Sequence, residues 1–179
     1  MKLEIVHGPV KEPVALEEIK LYLRLDGNTE DSLIESFITS ARLYCENYQK
    51  QAYYTQTLRV IYSAAEADFN MELPRSKYLQ KVISVKAVLP DDTEKEVSYH
   101  AACGDVYSRV IIHDLPAGAD IVVEYITGKD DAQMEDIKTA IKLFVSAMYN
   151  NRLPYDENGK VLHEVPFGVK ALLNRGRIL

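Results

Sequence analysis

Four histidines, two cysteines and 27 acidic residues are the side chains with which this chain could perform acid-base, nucleophilic or metal chemistry. His7, His100, His113 and His163 fall in four separate segments, so a site made of them requires tertiary convergence, and the simpler expectation is dispersed surface or hydrogen-bonded histidines. Asp26, Asn28 and Glu30 alternate as calcium ligands would. Gly27 is in the wrong place for such a loop, however, and Phe37 stands where a closing bidentate glutamate is required. No glycine-rich phosphate loop, His-x-x-x-His, Cys-x-x-Cys or Gly-x-Ser-x-Gly occurs. The expectation is a non-enzymatic protein with no catalytic residue, metal or cofactor.

The elements that carry these residues begin with an amphipathic stretch from Glu30 to Tyr48. Leu33, Ile34, Phe37, Ile38, Ala41, Tyr44, Cys45 and Tyr48 recur at three- and four-residue spacing, while Glu35, Ser36, Thr39, Arg42 and Glu46 fall opposite. A second segment, Asp136 to Arg152, has an equally wide stripe, from Met134 through Ile141 and Val145 to Tyr149. These two helices are expected to bury each other although most of the chain lies between them. A shorter helix, Ala15 to Leu25, precedes them with Leu16, Ile19, Tyr22 and Leu23 inward, and Asp26-Gly27-Asn28-Thr29 closes one helix and caps the next.

Between the helices the pattern becomes β. Thr57 to Ser63, Leu79 to Leu89, Glu96 to Ala101, Val106 to His113 and Asp120 to Thr127 read as strands, with Pro116 and Gly118 marking a hairpin loop between the last two. Five strands suffice for a small antiparallel sheet or partly closed barrel. The expected fold is α+β: a helical bundle of two N-terminal helices plus a C-terminal helix, residues 1–54 and 129–179, with a β-rich lobe, residues 55–128, inserted in the same compact unit. Pro9 and Pro13 keep the first segment extended, and Pro166 opens a short helix containing Phe167, Val169, Leu172 and Leu173.

Composition narrows the function further. The chain has 179 residues and a formal net charge of −6, which does not describe a general nucleic-acid binder. Residues 1–130 carry 14 Lys+Arg against 21 Asp+Glu, residues 131–179 carry 7 against 6, and Lys170, Arg175 and Arg177 face no acid after Val165. A basic, apolar terminal segment on an acidic body is an interaction candidate. A helix-turn-helix DNA regulator is the rival reading of the N-terminal helix pair, but Glu30, Asp31, Glu35 and Glu46 outnumber Arg42 and Lys50 on its would-be recognition helix and repel phosphates. Cys45 and Cys103 read as buried free thiols of a reducing compartment; the sequence alone does not fix whether they meet. No stretch approaches the roughly 20 apolar residues of a membrane span, and a soluble intracellular protein is expected. Tyr44, Tyr48, Tyr53 and Tyr54 form an aromatic cluster suited either to a core edge or to an interface.

The order of several short pieces resembles the head-tail connector, or adaptor, proteins of tailed bacteriophages and prophages. They are Glu12-Pro-Val-Ala-Leu-Glu-Glu-Ile-Lys-Leu-Tyr-Leu-Arg-Leu-Asp26, Glu30 to Glu35, Ala41 to Tyr48, Thr55 to Arg59, Leu73-Pro-Arg75, Val82 to Val85, Tyr149-Asn-Asn-Arg152 and Val165-Pro-Phe-Gly-Val-Lys-Ala-Leu-Leu173. Ala15 stands where the family often has a capping Ser or Thr. The resemblance implies a structural protein of the virion's head-tail interface, assembled in the host bacterial cytoplasm. It would form a ring, a dodecamer in the particle, that docks on the portal, extends the DNA channel without sequence-specific binding and meets a tail-completion or stopper protein. It also implies that the C-terminal segment engages the portal, with Phe167, Leu172, Leu173, Arg175, Arg177, Ile178 and Leu179 as contact residues.

Overall fold

A computed structural model of the chain describes residues 1–129, 134–151 and 167–174, excluding the side chain of Phe167. The chain divides into two compact units, one comprising residues 1–10 and 50–129, the other residues 11–49, 134–151 and 167–174. Helices and strands segregate between them, giving a mixed α+β protein with antiparallel sheets and, among the described residues, no closed barrel.

The helical unit holds α1 (Leu16–Leu23), α2 (Asp31–Gln49), α3 (Glu135–Asn150) and α4 (Phe167–Asn174). Helix α1 is shorter than its pattern suggests, because Arg24 adopts the left-handed conformation (φ 57°) and turns its N–H back to the carbonyls of Lys20 and Leu21. Ile19 is its one fully buried side chain, and Tyr22, expected inward, is exposed. The side-chain oxygen of Asn28 accepts from Lys20 Nζ at 2.8 Å, and the same ammonium meets Asp31 Oδ1 at 2.8 Å, which pins α1 to the start of α2. Along α2 the residues Ile34, Ile38, Ala41 and Cys45 are buried as their spacing predicts. Arg42 and Glu46, expected on the wet face, are buried too, because the incoming chain at Glu12 covers that side. Helix α3 buries Ala140, Ile141 and Val145, and its Phe144 meets Tyr44 of α2 edge-on at 5.0 Å.

The other unit contains eight strands: β1 (Lys2–His7), β2 (Gln56–Tyr62), β3 (Asn70–Leu73), β4 (Leu79–Val88), β5 (Glu94–Glu96), β6 (Tyr99–Ala102), β7 (Ser108–Ile112) and β8 (Asp120–Thr127). They form a five-stranded sheet in the order β1-β2-β8-β4-β5 and a three-stranded sheet in the order β3-β7-β6. The period of two places Leu58, Val60 and Tyr62 of β2 and Ile121, Val123 and Tyr125 of β8 on one buried face. Met71, Leu73, Val110 and Ile112 of the smaller sheet complete the same core.

Several boundaries differ from those read in the sequence. Residues 1–10 and 50–54 belong to the strand-bearing unit, because Lys2–His7 pairs antiparallel with β2 as an edge strand. The expected strand Glu96 to Ala101 is two strands, since the chain leaves the larger sheet at Val97, whose N–H donates to Val85 O at 3.2 Å, and enters the smaller one at Tyr99. Strands β7 and β8 lie in different sheets, so the Pro116–Gly118 loop is a crossover and not a hairpin.

Candidate functional site

The segment singled out for docking is represented by α4, which is seated on the helices of its own unit. Val169 and Leu173 are fully buried, and Leu172 is half-buried. The last turn is held from α2: Gln49 Nε2 donates to the carbonyl oxygen of Leu173 at 2.8 Å, and Tyr48 Oη donates to Asn174 Oδ1 at 2.7 Å. A helix C-terminus leaves carbonyls without intrahelical partners, and here side chains from a neighbouring helix supply one. Leu173, expected as an external anchor, therefore fixes α4 to its own unit. Arg175, Arg177, Ile178 and Leu179 lie outside the described residues, as do Val165 and Pro166.

Around this seat Tyr44 and Tyr48 stack with centroids 6.1 Å apart, and Tyr53 and Tyr54 are buried residues of the strand-bearing unit. Lys142 of α3 pairs with Glu18 of α1 at 2.8 Å, and that hydrogen bond holds the Glu18 carboxyl below its usual range. Tyr149 Oη donates to Glu30. Arg42 sits between two acids, with Nε 2.7 Å from Glu12 Oε2 and Nη1 3.1 Å from Glu46 Oε2, and Thr39 donates to the other Glu12 oxygen at 3.0 Å. These contacts position helices; none presents a nucleophile beside a base.

The strand-bearing unit carries a ladder of charge across the outer face of its larger sheet. Arg59 Nη2 meets Glu124 at 2.9 Å, and Lys86 meets Glu94 at 2.7 Å. These groups, with Ser84, Ile61 and Val122, line a depression of about 280 Å³. Its cations are already paired within the chain, so it offers little to an anionic ligand. Among the described residues no group of three or more His, Cys, Asp or Glu could hold a metal ion. His7 lies on the larger sheet and His100 on the smaller, and His163 is outside the described residues. Both cysteines are free; Cys45 is buried, and burial pushes its thiol up to about 12, whereas Cys103, expected buried, is exposed. No described helix is long and apolar enough to cross a membrane.

Sequence reasoning missed Tyr48, Gln49, Arg42 and Glu46 as the residues that hold the helices in place. The i,i+4 spacing of Arg42 and Glu46 was the available signal, since such a pair can be buried when a third charge completes it.

Among the described residues the arrangement is four helices segregated from a two-sheet unit, with α4 strapped to the end of α2. Residues 13–98 match the model of the phage gp6-like head-tail connector proteins, a span just under half of the chain that runs from the approach to α1 to just past β5. Three solved structures match over 100% of this chain and 96% of theirs. A chain from the neck of an empty gene transfer agent particle, computed with C6 symmetry, aligns at TM-score 0.75 and 20% identity. A chain from the virion of the native particle gives 0.72 and 21%, and one from the native neck computed with C12 symmetry gives 0.68 and 18%. No curated protein sequence matches the chain. Residues 13–98 thus resemble the head-tail connector proteins, and the whole chain shares the fold of these particle components.

Proposed function

We propose that the protein is a structural subunit of an oligomeric ring at the head-tail interface of a tailed phage or related particle. The ring docks on the portal, extends the DNA channel and presents a platform to a tail-completion or stopper protein. The observation that carries this reading is the coincidence of the connector-family match over residues 13–98 with a fold that follows particle neck proteins over the whole chain. The neighbours were computed with C6 and C12 symmetry, which supports a ring, and we adopt twelve copies in the particle. The matched chains are components of particles, not enzymes, in keeping with a non-catalytic role.

Charge fits this task. A chain of net charge −6 repels phosphates and lets DNA pass without sticking. At the portal side, residues 165–179 are the docking segment, with Phe167, Leu172, Ile178 and Leu179 as apolar contacts and Arg175 and Arg177 meeting acidic groups of the portal. Leu173, fully buried, contributes by holding α4 in place. The readings as a DNA regulator or an enzyme find no support in the comparisons. The regulator also loses one of its two cations, since Arg42 is engaged by Glu12 and Glu46.

The test is capture of the tagged full-length protein from an induced lysate of its source strain, with bound proteins identified by mass spectrometry. Portal and tail components in the eluate are expected. Their absence, with particles visible in the same lysate, would defeat the connector reading. A chain ending at Asn174 tests the terminal residues: if it completes infectious particles, Arg175 to Leu179 do not dock on the portal.

A further inference from the structure

Among the described residues both edges of the strand-bearing unit's larger sheet are left partly uncovered. On one side β1 pairs only with β2, over Lys2–His7. Ile5 shares the core-facing side with its partner Leu58, yet it is 42% exposed because no strand follows it. On the other side β4 pairs with β8 from Leu79 to Val88, with register shifts between Leu79 and Lys81 and between Val82 and Ser84, but β5 covers only Lys86–Val88. Val97 then donates to Val85 O and the chain departs for the smaller sheet, so among the described residues no strand lies against Leu79–Ser84 on that side. Ile83, in this uncovered stretch, is 44% exposed. Each open edge is six residues long and presents an isoleucine to water.

Natural proteins blunt or cover such edges, because a row of free N–H and C=O groups is a template for another strand. Strand direction says what can cover these. Every pairing in β1-β2-β8-β4 is antiparallel, so β1 and β8 run one way and β2 and β4 the other. In a cyclic ring all copies point the same way relative to the axis, and contacts are heterologous, one face meeting a different face. The β1 of a second copy therefore arrives antiparallel to β4 and continues the alternation without inverting the subunit.

We infer that β1 of one copy adds to the uncovered Leu79–Ser84 edge of β4 in the next, joining neighbouring subunits of the ring by strand addition. Main-chain hydrogen bonds supply the attachment. This rests on the ring reading above and adds the surface by which the copies meet.

The experiment uses the full chain with Cys103→Ser, carrying Ile5→Cys and Ile83→Cys, treated with a short bis-maleimide in assembled particles. Within one copy β1 and β4 are separated by three strand spacings, about 14 Å, so a linker of about 8 Å spans only between copies. A ladder of covalent multimers is expected from the double variant and none beyond a dimer from either single variant. In the unsubstituted protein, amide exchange at Leu3–His7 and Gln80–Ser84 should slow at least about tenfold on assembly. A particle ring with neither ladder nor protection would overturn the strand addition and leave the ring reading standing. Protection without a ladder would also overturn it, by assigning the edges to a different protein. If particles hold no ring of this protein, both readings fail.

Discussion

Gln49 and Leu173, 124 positions apart, are joined by a buried hydrogen bond of 2.8 Å from the glutamine amide to the leucine carbonyl. It closes the last turn of α4 onto the last turn of α2, and the Leu173 side chain is fully buried beside it. Leu173→Ala should therefore destabilise the protein by about 2–5 kcal/mol through the lost burial and the cavity left behind. Gln49→Ala should cost about 1–3 kcal/mol by leaving a buried carbonyl unpaired. Leu172→Ala, at a half-buried site, should cost less than Leu173→Ala. Urea unfolding of the three variants checks the order, and equal effects at 172 and 173 would refute the seating of α4.

The Arg42 cluster makes a sharper case, because Glu46 is completely buried and pairs with a guanidinium that is itself 5% exposed. Breaking a buried pair by removing one member leaves an uncompensated charge, so Arg42→Ala should cost about 3–5 kcal/mol. Replacing both, Arg42→Met with Glu46→Leu, should cost far less than the sum of the single changes. A double-mutant cycle by chemical denaturation measures the coupling. Additive single effects would mean that the two charges do not depend on each other.

What was legible in the sequence follows from length and period. Helices α2 and α3 announce themselves because their apolar stripes persist over several turns, and β8 emerges over the expected residues because alternation holds for its full eight residues. Strand β3 is hidden because four residues carry only two alternations, Met71 and Leu73 inward against Asn70 and Glu72 outward. Strand β1 is hidden for another reason: as an edge strand, its inward residues Leu3 and Ile5 are only partly covered and its polar residues are mixed among them. Arg42 and Glu46 defeat any polarity-based reading, since nothing local says that Glu12, thirty residues earlier, returns to meet them. The seat of α4 has the same character, because a glutamine at the end of one helix gives no sign of the carbonyl it will satisfy.

Gly128 combines a positive φ with a close main-chain neighbour. Its φ is 109°, and a Cβ there would sit 2.0 Å from the carbonyl oxygen of Tyr54. The strained backbone alone costs about 1–3 kcal/mol for an L-residue, and the clash with main-chain atoms adds to it. Gly128→Ala should therefore be severely destabilising, whereas Gly8→Ala, where a Cβ meets nothing within 4 Å, should be close to neutral. Thermal unfolding of the two variants provides the comparison, and similar midpoints would contradict the close approach of these chain segments.

Alkaline stability should depend on two tyrosine hydroxyls that tie the strand-bearing unit together. Tyr62 Oη donates to the carbonyl of Glu72, and Tyr125 Oη donates to that of Pro74 at 2.6 Å. Burial first, and then the carboxylates of Glu72 and Glu66, push the Tyr62 hydroxyl from 10.0 up to about 12; burial likewise raises that of Tyr125. For an acid whose folded pKa is raised, the folded state prefers the neutral form. The contribution of Tyr62 is thus fully present below pH 10 and is lost as pH rises from 10 to about 12. Denaturant unfolding followed across that window should show stability falling as the unfolded chain ionises first. Tyr62→Phe should flatten part of this fall and remove tyrosinate absorbance that develops only toward the top of the window. It should also cost about 1 kcal/mol at neutral pH for the lost hydrogen bond. An unchanged alkaline slope in Tyr62→Phe would show that this hydroxyl is not held neutral by the fold.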